Sequence, residues 1–376
     1  MPDVFTNVVK PTHICNISCR YCYNEDTRAP IMTRETLVKV IEQTFAVPCS
    51  GPQRTRYDFI WHGGEPLVPG LSFYKDVIDL QHRHANGRRF ENTMQTNGLL
   101  INDDWATFFK ANRFNVSISI DGPKHLNDQT RIDLRGRGTF DRVSRSLEIL
   151  RRCKVPFGVC VVITRANESF VDDIYDFLVA ERLPFNVIPL TLSGSAKTSF
   201  DELGLDAEEY ASPWITMFDR WFDSRSGDYI YCSDFAFKTK AILSGRPADC
   251  IGQVNCSRHH VSTDPDGYVY PCATLSGNAE WRYGNIHETA LPDLLSSTVA
   301  QYALGREIDP QCATCKWQHV CHGGCMQRAF KFTGDHNRRD YYCPSLFRMY
   351  EHVENRLRND GSLTIAPAPH SILSET

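Results

Sequence analysis

The run Cys15-Asn-Ile-Ser-Cys19-Arg-Tyr-Cys22 constrains this chain more than any other stretch of its sequence. Cysteines at this spacing can turn their thiolates toward one point within a short loop. Three thiolates are one fewer than a closed four-cysteine iron–sulfur site uses, so a cubane held this way keeps one iron open. Tetrahedral zinc follows the same logic: closed sites are structural, and open ones bind a substrate. A structural zinc loop and three incidental thiols stay open as readings of the loop alone, beside an iron with a free position for chemistry.

The whole chain supports a metal centre. Fifteen cysteines in a reducing compartment argue for metal binding rather than a disulfide framework. Eleven fall into spaced groups; Cys49, Cys153, Cys160 and Cys232 do not, and are expected to be packed small apolar side chains. The compartment is expected to be the cytoplasm. No apolar run approaches a membrane span, and Met1-Pro-Asp-Val-Phe lacks the basic and apolar regions of a signal peptide, so no membrane partner is expected. A net charge of -4 gives no general basic field, which disfavours nucleic acid. With 376 residues, 41% of them hydrophobic, the chain can bury a sizeable core in two or three domains.

The first half alternates strands and helices. Strands are expected over 8–12, 57–62, 90–96, 115–121, 157–164 and 185–190, with helices over 33–45, 71–84, 103–111, 140–153 and 170–181. Repeated βα units with buried strands predict an α/β fold with a parallel sheet, and six units fit a partial (β/α)6 TIM-like barrel. Ligands gather at the carboxyl ends of such strands. The cysteine loop, Gly63-Gly64, Thr96-Asn97-Gly98 and Asp121-Gly122 all fall there, the last as a turn signal. Trp61 and His62 are expected to pack beneath the Gly63-Gly64 loop. Near residue 200 the pattern changes: a helix capped by Asp206 and Glu209 is expected to run to about Phe222, and a hairpin around Asp264-Pro-Asp-Gly267. This gives a barrel over 1–222, a cysteine-rich domain with a bridging helix over 223–356, and a mobile tail over 357–376.

These motifs, in this order, resemble the radical S-adenosylmethionine (SAM) family. The resemblance implies that Cys15, Cys19 and Cys22 hold a 4Fe–4S cluster whose open iron chelates SAM, and that SAM is cleaved to a 5′-deoxyadenosyl radical. Gly63-Gly64-Glu65-Pro66 matches the family's GGEP motif, which implies close backbone approach by the glycines and a Glu65 carboxylate holding the SAM ammonium group. Thr96 and Asn97 sit at the next strand end. Ser117 and Ser119 share one face of the fourth strand; Ser117 fits the family's SAM-contacting serine better. Arg131 matches an arginine that binds the SAM carboxylate, and Tyr21 would place its backbone near the adenine.

The later cysteines, Cys256-x10-Gly267-x4-Cys272 and Cys312-x2-Cys315-x5-Cys321-x3-Cys325 followed by Cys343, resemble the SPASM extension. That resemblance implies two closed auxiliary 4Fe–4S clusters, one on Cys250, Cys256, Cys272 and Cys325, the other on Cys312, Cys315, Cys321 and Cys343. A zinc module using Cys312, Cys315, His319, Cys321 and His322 is the competing reading, but it leaves the remaining cysteines unexplained.

Overall the chain is similar to peptide- and protein-modifying SPASM enzymes, including anaerobic sulfatase-maturating enzymes and ribosomal-peptide maturases. The implied partners are a ribosomally made precursor peptide or protein and an electron donor such as flavodoxin or ferredoxin. In sulfatase maturases an aspartate directly follows the cysteine equivalent to Cys272 and acts as base; here that residue is Ala273, which cannot accept a proton. Formylglycine formation is therefore demoted. The segments around Trp61-His-Gly-Gly-Glu-Pro-Leu and Met94-Gln-Thr-Asn-Gly favour a maturase that cross-links side chains into a cyclophane. Thioether formation and epimerisation stay open, no general base is selected, and a non-catalytic iron–sulfur electron carrier is the rival outside enzymes.

Overall fold

A computed structural model describes residues 4–24, 30–48, 56–224 and 229–362. Cys49 and residues 363–376 of the expected tail lie outside them.

Six parallel strands appear in sequence order: β1 (Val4–Val9), β2 (Arg56–Trp61), β3 (Arg89–Thr96), β4 (Asn115–Ser119), β5 (Phe157–Ile163) and β6 (Phe185–Pro189). Between them run α1 (Arg34–Ala46), α2 (Leu71–His84), α3 (Asp103–Ala111), α4 (Lys124–Thr130), α5 (Phe140–Cys153) and α6 (Val171–Ala180). Local chemistry sets these boundaries. Thr33 caps α1 by accepting from Thr36 N at 3.1 Å, and Asn102 caps α3 by accepting from Trp105 N at 3.0 Å. In α5, Val143, Leu147 and Leu150 are buried at helical spacing, and Lys154 ends the helix in the left-handed region.

The aromatic core under β2 and β3 includes Trp61, whose Nε1 donates to Asn92 Oδ1 at 2.8 Å; Asn92 in turn pairs with Gln81 on α2. These three buried polar side chains thus partner one another, as a dry interior requires. Trp61 packs as expected; its neighbour His62 does not, and lines a cavity instead.

The second half is built onto the same sheet. After α7 (Ala196–Leu203), α8 (Ala211–Asp223) and α9 (Ser233–Ser244), β7 (His260–Thr263) pairs parallel with β1. The sheet continues through β8 (Tyr268–Tyr270) and β9 (Gly284–Asn285), giving the order β6-β5-β4-β3-β2-β1-β7-β8-β9. It has two ends, so the barrel is open. β7 and β8 form the expected hairpin, with Gly267 in its turn at φ +87°. Then come α10 (Leu291–Leu294), α11 (Thr298–Leu304), α12 (Gln318–Cys321), α13 (Met326–Thr333) and α14 (Cys343–Asn359).

α14 docks onto the barrel side: Tyr342 Oη donates to Leu190 O at 2.9 Å, and Ser345 Oγ to Ala207 O at 2.7 Å. Its helix continues through Asn359, beyond the expected start of the tail at 357. Likewise the helix expected from Asp206 begins at Ala211: Glu209 accepts from Asp206 N at 2.8 Å, but the first residues form turns. Among the described residues, no helix is long and apolar enough to cross a membrane.

Candidate active site

The carboxyl ends of β1 to β6 surround a cavity of about 350 Å³. Cys15, Cys19 and Cys22 all line it. Their loop is pinned on several sides: Ser18 N donates to Ile132 O at 2.8 Å, Arg20 N to Thr130 O at 3.0 Å, and Gly64 N to Thr12 O at 3.0 Å. The glycines are needed for that packing. A Cβ on Gly63 would sit 2.4 Å from Thr12 O, and one on Gly64 2.3 Å from His13 O. Burial pushes the Cys15 and Cys19 thiols up to about 12, and raises Cys22 as well. Without a bound cation these thiols stay protonated.

Arg131 reaches the same cavity, oriented by a residue that reads in sequence only as a turn. Asp121, wholly buried, accepts from Arg131 Nε at 2.9 Å and Nη2 at 3.2 Å, and from Val162 N at 3.0 Å. Tyr21 Oη also donates to Asp121 through a short hydrogen bond. This leaves Arg131 Nη1 directed toward the cysteine loop, 3.9 Å from Cys19 Sγ. Tyr21 is thus fixed by its side chain as well as its backbone.

Glu65 has a bracing role beside the expected one. It is fully buried and does not line the cavity; Oε1 accepts from Leu67 N at 3.0 Å and Thr96 Oγ1 at 2.7 Å, and Oε2 from Asn97 N at 2.8 Å. With those donors in place the carboxylate clasps the loops after β2 and β3 together, and Oε2, with one donor, keeps an acceptor site. Thr96 and Asn97 do line the cavity. Asn97 Nδ2 donates to Asn16 Oδ1 at 2.7 Å, while Asn16 Nδ2 is buried without a partner among the described residues. That orphaned donor, beside Cys15, suits an acceptor on a bound group.

Burial raises the Glu65 carboxyl to about 7, against the pull of its three donors. The native state then holds a proton there that the unfolded chain has lost, between pH 4.5 and about 7. Its contribution to stability is full below the lower value and is lost as pH rises to the upper one. We expect Glu65→Gln to flatten this pH slope in thermal unfolding, and to cost about 1–3 kcal/mol through an amide NH2 facing donors.

Of the two strand serines, Ser119 lines the cavity and accepts from Gln95 Nε2 at 3.1 Å; Ser117, which fits the family pattern better, lies deeper on the same face and does not line it. Cys160, expected to be plain packing, sits opposite Ser119 on β5 and lines the cavity too. Cys232 is fully buried, as expected, and Cys153 is partly buried against the core. His62 faces the cavity with Tyr23 Oη at 3.3 Å from Nε2; burial, then the nearby Lys10 ammonium, lowers its imidazole to about 3, so it is neutral. Neither His62 nor Asp121 carried a local sequence signal for these positions.

The second half closes the cavity with Ala273 and Thr274. Their loop is tied to β1's end by Lys10, whose Nζ donates to Ala273 O and Ser276 Oγ, both at 2.9 Å. The later cysteines gather in two groups. Burial, then the Cys325 and Cys272 thiols, push Cys256 up to about 12, and Cys250 feels Cys325, Cys256 and Cys272. In the other group, burial and then Asp340 push Cys321 up to about 12, with the Cys343 and Cys312 thiols adding to the rise; burial lifts Cys343 to about 11 beside Cys312 and Cys315. These couplings run within the two sets that the SPASM resemblance implies. All described cysteines are free thiols, and soft thiolates are the ligands that iron–sulfur clusters take.

Residues 9–178 match the radical SAM superfamily, and residues 250–316 the SPASM iron–sulfur cluster-binding domain. The serine-type anaerobic sulfatase-maturating enzyme of Klebsiella aerogenes is 32% identical over 333 residues, spanning 86% of this chain and 80% of its own. The chain belongs to the radical SAM family. A cysteine-type anaerobic sulfatase-maturating enzyme of Clostridium perfringens is 27% identical over 374 residues, spanning 96% of this chain and 98% of its own. The structure of native anSMEcpe with bound AdoMet superimposes with a TM-score of 0.84 at 27% identity, over 96% of this chain and 100% of that one. Streptococcus suis SuiB bound to precursor peptide SuiA shares the fold, with a TM-score of 0.64 at 15% identity over 91% of this chain and 76% of that one. This radical SAM chain is therefore an enzyme with a SPASM domain, and its cofactors are SAM and iron–sulfur clusters, three 4Fe–4S clusters in all.

Proposed function

We propose that this radical SAM enzyme oxidises a side chain of a peptide or protein substrate inside the barrel cavity. Cys15, Cys19 and Cys22 hold the SAM-cleaving cluster; Cys250, Cys256, Cys272 and Cys325 hold one auxiliary cluster, and Cys312, Cys315, Cys321 and Cys343 the other. The bound groups supply a 5′-deoxyadenosyl radical that takes a hydrogen atom from substrate carbon. The chain's own residues position the reactants. Arg131, braced by Asp121, meets the SAM carboxylate through Nη1; the backbone at Gly63 and Gly64, with Thr96, Asn97 and Ser119, frames the rest of SAM; Tyr21 closes the wall. The enclosed cavity excludes water from the radical. Ala273 and Thr274 bring the auxiliary-cluster domain against the substrate.

Overall likeness supports formylglycine formation from a peptidyl cysteine or serine first, since the extended relatives are sulfatase-maturating enzymes of both types. One observation favours a second reading, a side-chain cross-link of the cyclophane kind: Ala273 lines the cavity where those enzymes carry an aspartate base. The substrate is then a ribosomally made precursor, the donor a flavodoxin or ferredoxin, and the setting the cytoplasm. The working division is a barrel over 1–222 and an auxiliary-cluster domain over 223–356.

Anaerobic incubation of the reconstituted enzyme with SAM and candidate peptides separates the readings by mass and by aldehyde capture. A cross-link loses two hydrogens and resists a hydroxylamine probe. Formylglycine from serine loses the same two hydrogens but reacts with the probe, and from cysteine it also exchanges sulfur for oxygen. Unchanged mass with deuterium taken up from solvent would mean epimerisation and would sink both.

A further inference from the structure

The loop between Cys250 and Cys256 joins two thiols of the first auxiliary set, and it also forms the floor of a surface groove. Gln253 and Asn255 line the floor, with Arg246, Arg258, His259 and His322 around it. Arg246, Arg258 and His259 are exposed. Some exposed arginines elsewhere are matched by acids, Arg165 by Glu209 at 2.6 Å and Arg151 by Glu181 at 2.9 Å. Arg246 and Arg258 have no carboxylate partner among the described residues. With His259 they make the groove a basic surface on a chain of net charge -4.

The groove lies at one end of a path through the first set. Cys272 precedes Ala273 and Thr274, which line the catalytic cavity, so the set meets the substrate site at that end. At the other end Cys250 is the one exposed cysteine among those described. His322, directly after Cys321 of the second set, reaches across so that its Nδ1 lies 2.7 Å from Gly252 O, bracing the loop. Electron tunnelling falls steeply with distance, and a carrier seated against Gln253 and Asn255 sits on the loop that joins two thiols of the set.

We propose that this groove docks an acidic one-electron carrier protein, which takes up the electron that substrate oxidation leaves on the first auxiliary cluster. The proposal rests on the assignment of Cys250, Cys256, Cys272 and Cys325 to that cluster. The electrons balance: the deoxyadenosyl radical removes one as a hydrogen atom, the oxidised cluster receives the second while a proton leaves the substrate, and the oxidised carrier then reoxidises the cluster. Complementary charge steers such encounters and makes their rate depend on salt.

The test uses the reconstituted full-length enzyme carrying R246E and R258E, both at exposed positions outside the catalytic cavity. Reduced enzyme is mixed with oxidised flavodoxin in a stopped-flow instrument, with a small neutral quinone as a second oxidant. We expect reoxidation by flavodoxin to slow about tenfold at low salt, the difference to vanish at high salt, and the quinone rate to hold. Arg89→Glu, at an equally exposed basic groove beside the start of β3, should leave the flavodoxin rate unchanged. An unchanged rate in the double variant, or equal slowing by Arg89→Glu, overturns the proposal. Iron content and cluster spectra of the wild type separate the two levels: missing auxiliary clusters refute the ligand assignment beneath, whereas normal clusters with an unchanged rate refute only the docking surface.

Discussion

Asp121→Asn will cost the fold about 3–5 kcal/mol and abolish tight SAM binding, although it touches no cysteine. The reason is the company Asp121 keeps. It is wholly buried and takes two hydrogen bonds from Arg131, one from Tyr21 and one from the backbone at Val162. Arg131 is itself buried, so neutralising its partner leaves a guanidinium in the interior with nothing to balance it. Removing one member of a buried pair is costly for this reason, whereas removing both charges together often is not. The double variant Asp121→Asn with Arg131→Gln should therefore regain much of the lost stability in thermal unfolding. It should not regain SAM affinity in equilibrium dialysis, because Nη1 of Arg131 is gone. If the single variant binds SAM as the wild type does, Arg131 is not the carboxylate-binding residue.

Asp121 also marks where sequence reading stops. Asp121-Gly122-Pro123 reads as a turn, and a turn it is. Its second duty depends on Arg131, ten residues on, and on Tyr21, a hundred residues back. No local pattern announces contacts at that range. The three-cysteine loop was legible because its geometry is contained in its own spacing, and the six strands because buried parallel strands carry dense apolar runs such as Phe157 to Ile163. Strand parity put Ser117 and Ser119 on one face, but which of them reaches the ligand depends on where β4 ends. It ends at Ser119. His62 is a similar case: β2 stops at Trp61, so its next side chain leaves the strand alternation and turns into the cavity.

Glu65 shows the opposite limit, since the motif was visible while its bracing role was not. A carboxylate in a glycine-rich loop suits an ammonium ligand, and this one also takes three protein donors that tie two loops together, which no local pattern announces. Ala273 was legible as an absence. Unreadable in advance was Lys10, which reaches from the end of β1 to the Ala273 carbonyl and ties the two halves together at the substrate site. Short polar helices such as α4 were missed as well, because Lys124 to Thr130 has only Leu126 as a buried apolar anchor.

Removing the thiols should separate the two kinds of cluster. The triple variant Cys15→Ala, Cys19→Ala, Cys22→Ala takes away every thiol the loop contributes to the cavity wall, and 5′-deoxyadenosine should fall to background in an anaerobic assay with dithionite and SAM. On the proposed assignment three ligands leave one iron open for SAM, whereas each later set supplies four. Cys325→Ala acts elsewhere. Cys325 lies within electrostatic range of Cys250 and Cys256, so on the proposed assignment its loss damages the first auxiliary cluster while the three-cysteine loop stays intact. Deoxyadenosine should still form, and oxidised peptide should not. Full product formation by Cys325→Ala would place that cluster outside the oxidation. Deoxyadenosine from the triple variant would mean that SAM is cleaved at a different centre, and would remove the three-cysteine loop from the chemistry.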